Sequence, residues 1–409
     1  MRIGIFKMAL VLSAILTLPE GVKADKNDTR YERVSLCQFM VSYPHKTYFR
    51  ELEHEYKSIP LSNHMNDHNL GVNFIKFASD DLSAKQRIDY FLSDAQVAKK
   101  MVAKWFSYNK ETGTFDMSLI QRRGCYNATM NDARVARKML RGEAYLADGG
   151  ERLLNYSFVA VHDFVPMDKE LTKKISFNKK SNISGDDVIN LNDSITLSEY
   201  NRQYHSGDTR RNSYELMCET YLYKLVWNEE TAGKFYDTMY IENQDSDKSA
   251  LFKDDTSTFR LEYVGSSSQQ YKQRRDRRIK SNEDLVKTAM ARIMDMNIAS
   301  LQDICPDFRI KADLRMDGDI IFAEIGMKEN VRDNDIFEVL EREEDEEGNV
   351  KYNVIGNIRP VKGHIWDNRF NAYDSDGRDD NGLYYTIFDK ISGEDFYEGL
   401  IIRKKSLKR

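Results

Sequence analysis

The chain has 409 residues, 41% hydrophobic and 31% charged, with a formal net charge of −5. Such a near-balance of acid and base excludes a global field that would draw the molecule to nucleic acid. Beyond the N-terminal leader, no stretch reaches the roughly 18 apolar residues of a membrane helix. The length suits two or three domains of roughly 100–200 residues each, and 23 Tyr with 20 Phe favour strands and half-exposed surfaces.

Residues 1–24 have the layout of a secretory signal peptide. Arg2 and Lys7 supply the positive start, residues 8–18 the apolar run, and Val22-Lys23-Ala24 a small-x-small cleavage site before Asp25. The run is too short to span a bilayer, so removal is expected and not anchoring. The mature chain is then expected to be exported: periplasmic, outer-membrane-associated or extracellular. The four cysteines, Cys37, Cys125, Cys218 and Cys305, would allow two disulfides there in any of three pairings, with buried thiols as the alternative. Their wide single spacing excludes a CxxC metal or redox motif. No cysteine stands at the first mature positions, so an N-terminal lipid anchor is not expected.

In chain order, residues 31–43 mix apolar and β-branched types and predict a strand; 47–57 predict a short helix. Ser93, with Gln96 three residues on, makes a capping-box pattern. Val97, Met101, Val102, Trp105 and Phe106 then form one helical stripe. A second helix is predicted over 132–141, with Val135, Ala136, Met139 and Leu140 buried. Residues 153–165 read as a strand apolar on both faces: Phe158, Ala160 and Phe164 on one, Val159, Val161 and Val165 on the other. Residues 166–212 are polar and read as an insertion. Strands are predicted at 214–227, 234–241 and 259–264, the first two as a hairpin around 228–233. Ser281 caps a helix carrying Leu285, Val286, Ala289, Met290, Ile293 and Met294.

Pro306 marks a change to an all-β pattern. Phe308, Ile310, Ala312 and Leu314 alternate with charged residues, and strands are predicted at 320–325, 335–340, 350–358, 365–366 and 383–388. The acidic run 341–347 suits a hairpin tip, and Pro360 a strand end. The cadence Ile325-Gly326, then Phe337-Glu338-Val339, then Val354-Ile355-Gly356-Asn357-Ile358 resembles the SH3-like β-barrel at the C-terminus of flagellar assembly protein T and related envelope proteins. Asn334 stands before Asp335 where those proteins commonly have Gly. The resemblance covers about residues 308–361 and implies a small barrel. The series Ala98 to Phe106, then Arg123-Gly124-Cys125-Tyr126-Asn127-Ala128, then Arg141-Gly142, then Leu146-Ala147-Asp148-Gly149-Gly150-Glu151 is similar to an uncharacterised secreted family of Bacteroidetes-type bacteria. That similarity implies an envelope or extracellular address and no particular reaction.

Asp374, Asp376, Asp379 and Asp380, with Asn381, crowd a stretch bounded by Gly377 and Gly382. Calcium takes such oxygen ligands from a loop, and calcium is the one cofactor the sequence suggests. Tyr385 stands where an EF-hand would have its twelfth-position Glu, and a solvated Asp/Gly turn accounts for the same residues. His64 and His68 have H-x3-H spacing, but their Asn/Asp neighbours favour a loop over a zinc-binding helix face. His54-Glu55 lacks the second His of a zinc-protease motif, Ser58 standing there. His162 falls in a strand and reads as packed. Lys272, Arg274, Arg275, Arg277, Arg278 and Lys280 form a basic run suited to peripheral contact with an anionic surface, or to a solvated linker. No nucleophile elbow, P-loop or GxGxxG is present.

These observations predict an α+β protein: helices packed on a mostly antiparallel sheet over about 25–300, then a small C-terminal β-barrel from about 306. The leading functional expectation is a non-catalytic envelope or extracellular binding or assembly protein with a protein partner. The rivals are a secreted hydrolase acting on glycans through paired carboxylates, and a calcium-dependent adhesin. A cleft with two facing carboxylates would favour the hydrolase.

Overall fold

The computed structural model describes residues 33–44, 46, 49–62, 64–77, 82–126, 150–167, 211–242, 251–344, 350–373 and 377–405. Residues 1–32, with the expected signal peptide, the helix expected at 132–141 and residues 168–210 of the expected polar insertion lie outside them. Among the described residues no helix is long and apolar enough to cross a membrane.

The N-terminal part is built on one sheet. Strand β1 (Val34–Ser42) pairs in parallel with β2 (Met65–Asp67), β3 (Phe74–Lys76) and β4 (Ser157–Pro166). Strand β4 then pairs antiparallel with β5 (Ser213–Leu225), and β5 with β6 (Leu261–Arg274). The sheet is therefore mixed: the parallel pairings are gathered on β1, and the two longest pairings, β4 with β5 and β5 with β6, are antiparallel. Parallel strands need crossovers that carry helices back over the sheet, and both faces are covered accordingly. Helices α1 (Phe49–Tyr56) and α6 (Asn282–Ile304) cover one face. Helices α2 (Ala84–Asp94), α3 (Val97–Trp105) and α5 (Glu229–Thr238) lie on the other, with α4 (Ser118–Tyr126) beyond. The two-faced apolar pattern of β4 fits this: Phe158 and Ala160 join one core cluster, Val159 and Val161 another.

Local chemistry explains where sequence reading and structure part. The expected Ser93–Gln96 capping box does not form. The working box is ten residues earlier: Ser83 Oγ accepts from Gln86 N at 3.3 Å, and the Gln86 side chain accepts from Ser83 N at 3.1 Å. It starts α2, which buries Ile88 and Leu92 one turn apart, and Ser93 falls in the last turn of that helix. Gln96 adopts a left-handed conformation, φ +49°, before α3 begins. The apolar stripe read for α3 is buried as expected, from Val97 to Phe106. The strand expected at 234–241 is α5 instead. Asn228 Oδ1 caps Thr231 N at 2.9 Å, Glu229 and Glu230 sit at the positive helix end, and Thr231 and Phe235 point inward one turn apart.

The C-terminal part is a nearly closed antiparallel sheet in the order β7-β13-β10-β11-β12-β9-β8. Its strands are β7 (Lys311–Asp313), β8 (Arg315–Asp317), β9 (Ile320–Ala323), β10 (Phe337–Glu344), β11 (Val350–Pro360), β12 (Thr386–Gly393) and β13 (Ile401–Lys404). The single strand expected through 308–315 is divided. Residues 306–308 form a 3-10 turn, and the alternating run splits at Leu314 into β7 and β8. These two consecutive strands occupy opposite edges of the sheet, which is what curls it toward closure. Ile365 and Trp366 do not form a strand; Trp366 O accepts from Met327 N at 2.9 Å, and Trp366 N donates to Thr386 Oγ1 at 3.1 Å.

The glycine of the Val354-Ile355-Gly356-Asn357-Ile358 segment has a packing reason. A Cβ at Gly356 would stand 2.5 Å from Ser392 O and 2.6 Å from the Phe396 ring, where β11 crosses β12. Gly356→Ala is expected to destabilise the barrel by about 1–3 kcal/mol, the usual range for overpacking. Urea unfolding checks this; an unchanged midpoint would count against the observed crossing.

Candidate functional site

Cross-strand register decides which side chains share a face. Val159 is opposite Tyr223, Val161 opposite Tyr221, and Asp163 opposite Glu219. All six lie on the face carrying α2 and α3. The apolar part of that face is sealed, with Trp105 Nε1 donating to Ser157 Oγ at 2.8 Å and Phe39 meeting Phe91 edge-on at 6.2 Å. Two polar features flank α2.

The first is a groove of about 460 Å³ between α2, α3, the end of β5 and the start of β6. Tyr223 Oη donates to Asp89 Oδ1 at 2.6 Å, and Lys85 Nζ to Asp89 Oδ2 at 2.6 Å. Lys85 Nζ also lies 4.3 Å from the centroid of the Tyr263 ring, which is 5.4 Å from the ring of Tyr223. Tyr263 is 39% exposed and lines the groove. At the other wall, Lys99 Nζ donates to the carbonyls of Lys253 and Asp255, each at 2.7 Å. Desolvation lowers its pKa, and Asp255 and Asp254 oppose that shift. Burial, then the hydrogen bond to Asp89, raises the Tyr223 pKa, so this hydroxyl stays a donor. The left-handed Gln96 also lines the groove. Paired tyrosine rings with fixed donors and acceptors make a surface for stacking and hydrogen bonding.

The second feature is the facing pair Asp163 and Glu219. Tyr43 Oη donates to Asp163 Oδ2 at 3.2 Å, and Arg87 Nη2 donates to Tyr43 Oη at 3.2 Å. Ser266 Oγ donates to Glu219 Oε1 at 3.0 Å, and the Tyr221 hydroxyl also bonds Glu219. Asp163 Oδ1 is buried with no hydrogen-bond partner among the described residues. Burial pushes the Asp163 carboxyl up to about 7, and Glu219 opposite adds to the shift; Tyr43, Arg87 and Lys46 act against it. A carboxyl whose proton is held by burial toward neutral pH is chemistry a general acid can use.

The residues singled out by sequence are distributed differently. His64 and His68 flank β2 and are both buried, but they face apart. His64 Nε2 donates to Glu324 O at 2.9 Å, in the C-terminal part. His68 bonds Met101 O through Nε2 at 3.0 Å and accepts at Nδ1 from Arg123 Nη1 at 2.9 Å. Arg123 lies over Trp105 at 4.4 Å and also donates to Asp67 O at 2.8 Å, so this network fastens α4 to β2 and α3. His162 is packed as expected, between Thr220 Oγ1 and Gln38 Oε1, each at 2.9 Å. The two-disulfide arrangement does not occur. All four cysteines are free thiols; Cys37, Cys218 and Cys305 are buried and Cys125 is exposed.

In the proposed calcium loop, Asp374 and Asp376 lie outside the described residues. Asp379 Oδ1 accepts from the backbone N–H of Asn381 at 2.8 Å and of Leu383 at 3.0 Å, and Oδ2 from that of Asp367 at 2.9 Å. Asp380 is held by Arg277, and by Arg278 at 2.7 Å. Among the described residues no group of three or more His, Cys, Asp or Glu is placed to hold a metal ion. The basic run is largely engaged within the chain. Lys272 pairs with Glu215 at 3.2 Å, and the Arg275 guanidinium holds Arg211 O, Ile279 O, Ser281 O and Asn282 Oδ1.

Sequence reading missed Lys85, Asp89, Asp163, Glu219 and Tyr263. Of these, Asp163 had a usable signal: it is a charge on the inward parity of a strand whose other positions on that face, Val159 and Val161, are apolar. The rest depend on strand register. Compared with known proteins, the chain matches no family model, and no curated protein matches it.

A carboxyl that binds its proton more tightly folded than unfolded stabilises the fold fully below its unfolded value. That contribution is lost as pH rises through the folded value. For Asp163 the window runs from 3.8 to about 7. Asp163→Asn is therefore expected to remove a fall in unfolding free energy across that window. Urea unfolding of both proteins from pH about 4 to about 8 measures the difference. A difference independent of pH would contradict the assignment.

Proposed function

We propose that the protein is a non-catalytic binding or assembly protein of the cell envelope or extracellular space, with the α2–α3/β5–β6 groove as the docking point for a protein partner. The observation that carries this reading is the open groove itself, with the Tyr223–Tyr263 ring pair held rigid by Lys85 and Asp89 on a sheet whose core is otherwise sealed. Tyrosine is enriched where proteins meet, because one ring supplies apolar area and a hydrogen bond together. The signal-peptide layout of residues 1–24 supports an exported address. The nearly closed antiparallel C-terminal sheet supplies a compact second module beside the N-terminal sheet.

The test uses the full chain with a photo-crosslinking residue at position 263, expressed in its own cell envelope. One dominant cross-linked protein is expected, and Tyr223→Ala combined with Lys85→Glu should reduce its yield by at least about tenfold, the loss of a hot spot. No adduct, or an adduct indifferent to those changes, would contradict the reading.

The facing carboxylates favour a second reading, a secreted hydrolase acting on glycans with Asp163 as acid and Glu219 as its partner. Turnover of a glycan substrate that falls by about 10²-fold or more in Asp163→Asn would establish it over the first reading. Absence of turnover across a glycan panel would leave the binding reading in place.

A further inference from the structure

Strand β6 is a 14-residue strand at the end of its sheet, and among the described residues no strand pairs with its outer edge. Edges of this length are normally blunted by proline, by inward charges or by bulges. Here one bulge occurs, near Val264 where the register to β5 shifts. The following run, Gly265-Ser266-Ser267-Ser268-Gln269-Gln270-Tyr271, has no charge and no proline. Its inner edge is regular: Gly265 pairs with Leu222 and each residue through Arg274 pairs in step down to Ser213. Its outward N–H and C=O groups are therefore set at regular strand spacing for another strand.

The charges at the ends say which strand. The start of β6 carries exposed Glu262; its end carries exposed Lys272 and Arg274. A second β6 laid antiparallel sets the acidic start of each strand beside the basic end of the other. A parallel copy sets like charges together. Small Ser side chains at the middle let two such strands approach without a clash. Residues directly across an antiparallel pair must share a face, so the two-fold axis passes through a residue and not between residues. Centring on Ser268 brings Ser266 opposite Gln270 and keeps Glu262 near Arg274 of the second copy.

We propose that β6 is a self-association edge, at which two copies of this chain join antiparallel into one continuous sheet. This stands independently of the groove reading, although Tyr263 of β6 lines that groove, so joining would bring the two grooves to one side of the dimer. The joining is non-covalent and needs no co-reactant.

The test is the mass of the full chain by light scattering after gel filtration, over a dilution series. Twice the mass of one chain is expected at high concentration, falling toward one on dilution. Ser268→Lys sets two lysines directly across the symmetric pair and Gln270→Lys adds a charge beside them, both at exposed positions; the variant is expected to be a monomer with the melting temperature of the diluted, monomeric wild type. A wild-type chain that is monomeric throughout, or a dimer that survives both substitutions, would overturn the proposal. Hydrogen exchange of wild-type amides 265–271 gives a reading that needs no variant. Slow exchange at high concentration and fast exchange on dilution is expected; rates independent of concentration would overturn it.

Discussion

The burial of helix α6 is the constraint on which the rest of the structure depends. At 23 residues it is about 35 Å long, and it lies over β5 and β6 and against α1. It starts at a complete capping box between Ser281 and Asp284. It buries Leu285, Val286, Ala289, Met290, Ile293 and Met294 in the main core, and Leu301 in the smaller core with Phe158 and Phe308. The same helix also holds the C-terminal part. Arg292 Nε donates to Phe370 O at 3.3 Å, Asn371 Nδ2 to Thr288 Oγ1 at 3.4 Å, and Lys328 lies 3.9 Å from Asp295. Burial raises the Asp295 carboxyl to about 6 even with that lysine beside it, which marks how dry the seam is. Lys224 to Asp307 at 2.6 Å and His64 to Glu324 O at 2.9 Å add further ties between the two parts.

With one face of the sheet taken by α1 and α6, polar chemistry is left to the other. There α2 divides the surface. Asp89 and Lys85 serve the groove, while Arg87 supports Tyr43 and through it Asp163. A single eleven-residue helix thus orients both polar features, and its capping box at Ser83 fixes where its residues fall. The groove and the carboxylate pair are neighbours because Tyr221 and Tyr223 are two apart on one strand. A partner in the groove would therefore lie near a carboxyl whose proton is poised near neutrality.

Much of the fold was legible because it is written in local periodicity. The α3 stripe, the two-faced β4 and the Ser281 cap are all properties of short windows, and the structure has each of them. The failures have specific causes. Residues 234–241 alternate well enough to pass for a strand, and only the Asn228 cap with two following glutamates argues for a helix. The 308–315 run alternates strictly, but the two edges it serves are far apart in the sheet, so it must break. Parallel pairing of β1 with β4 is invisible locally, since it depends on chain returning from more than a hundred residues away. The site was less legible than the fold. Tyr221, Tyr223 and Asp163 were placed on strands, but the partners that give them chemistry come from α2 and β6 through register.

The two sheets share α6 and form one cooperative unit. Tryptophans at 105 and 227 report on the first sheet and Trp366 on the second. Thermal unfolding of two variants, one keeping only Trp227 and one keeping only Trp366, measures each part within the full chain. The two fluorescence transitions are expected to coincide in midpoint and width. Two separated transitions, with the Trp366 signal melting while the Trp227 signal stays native, would contradict it.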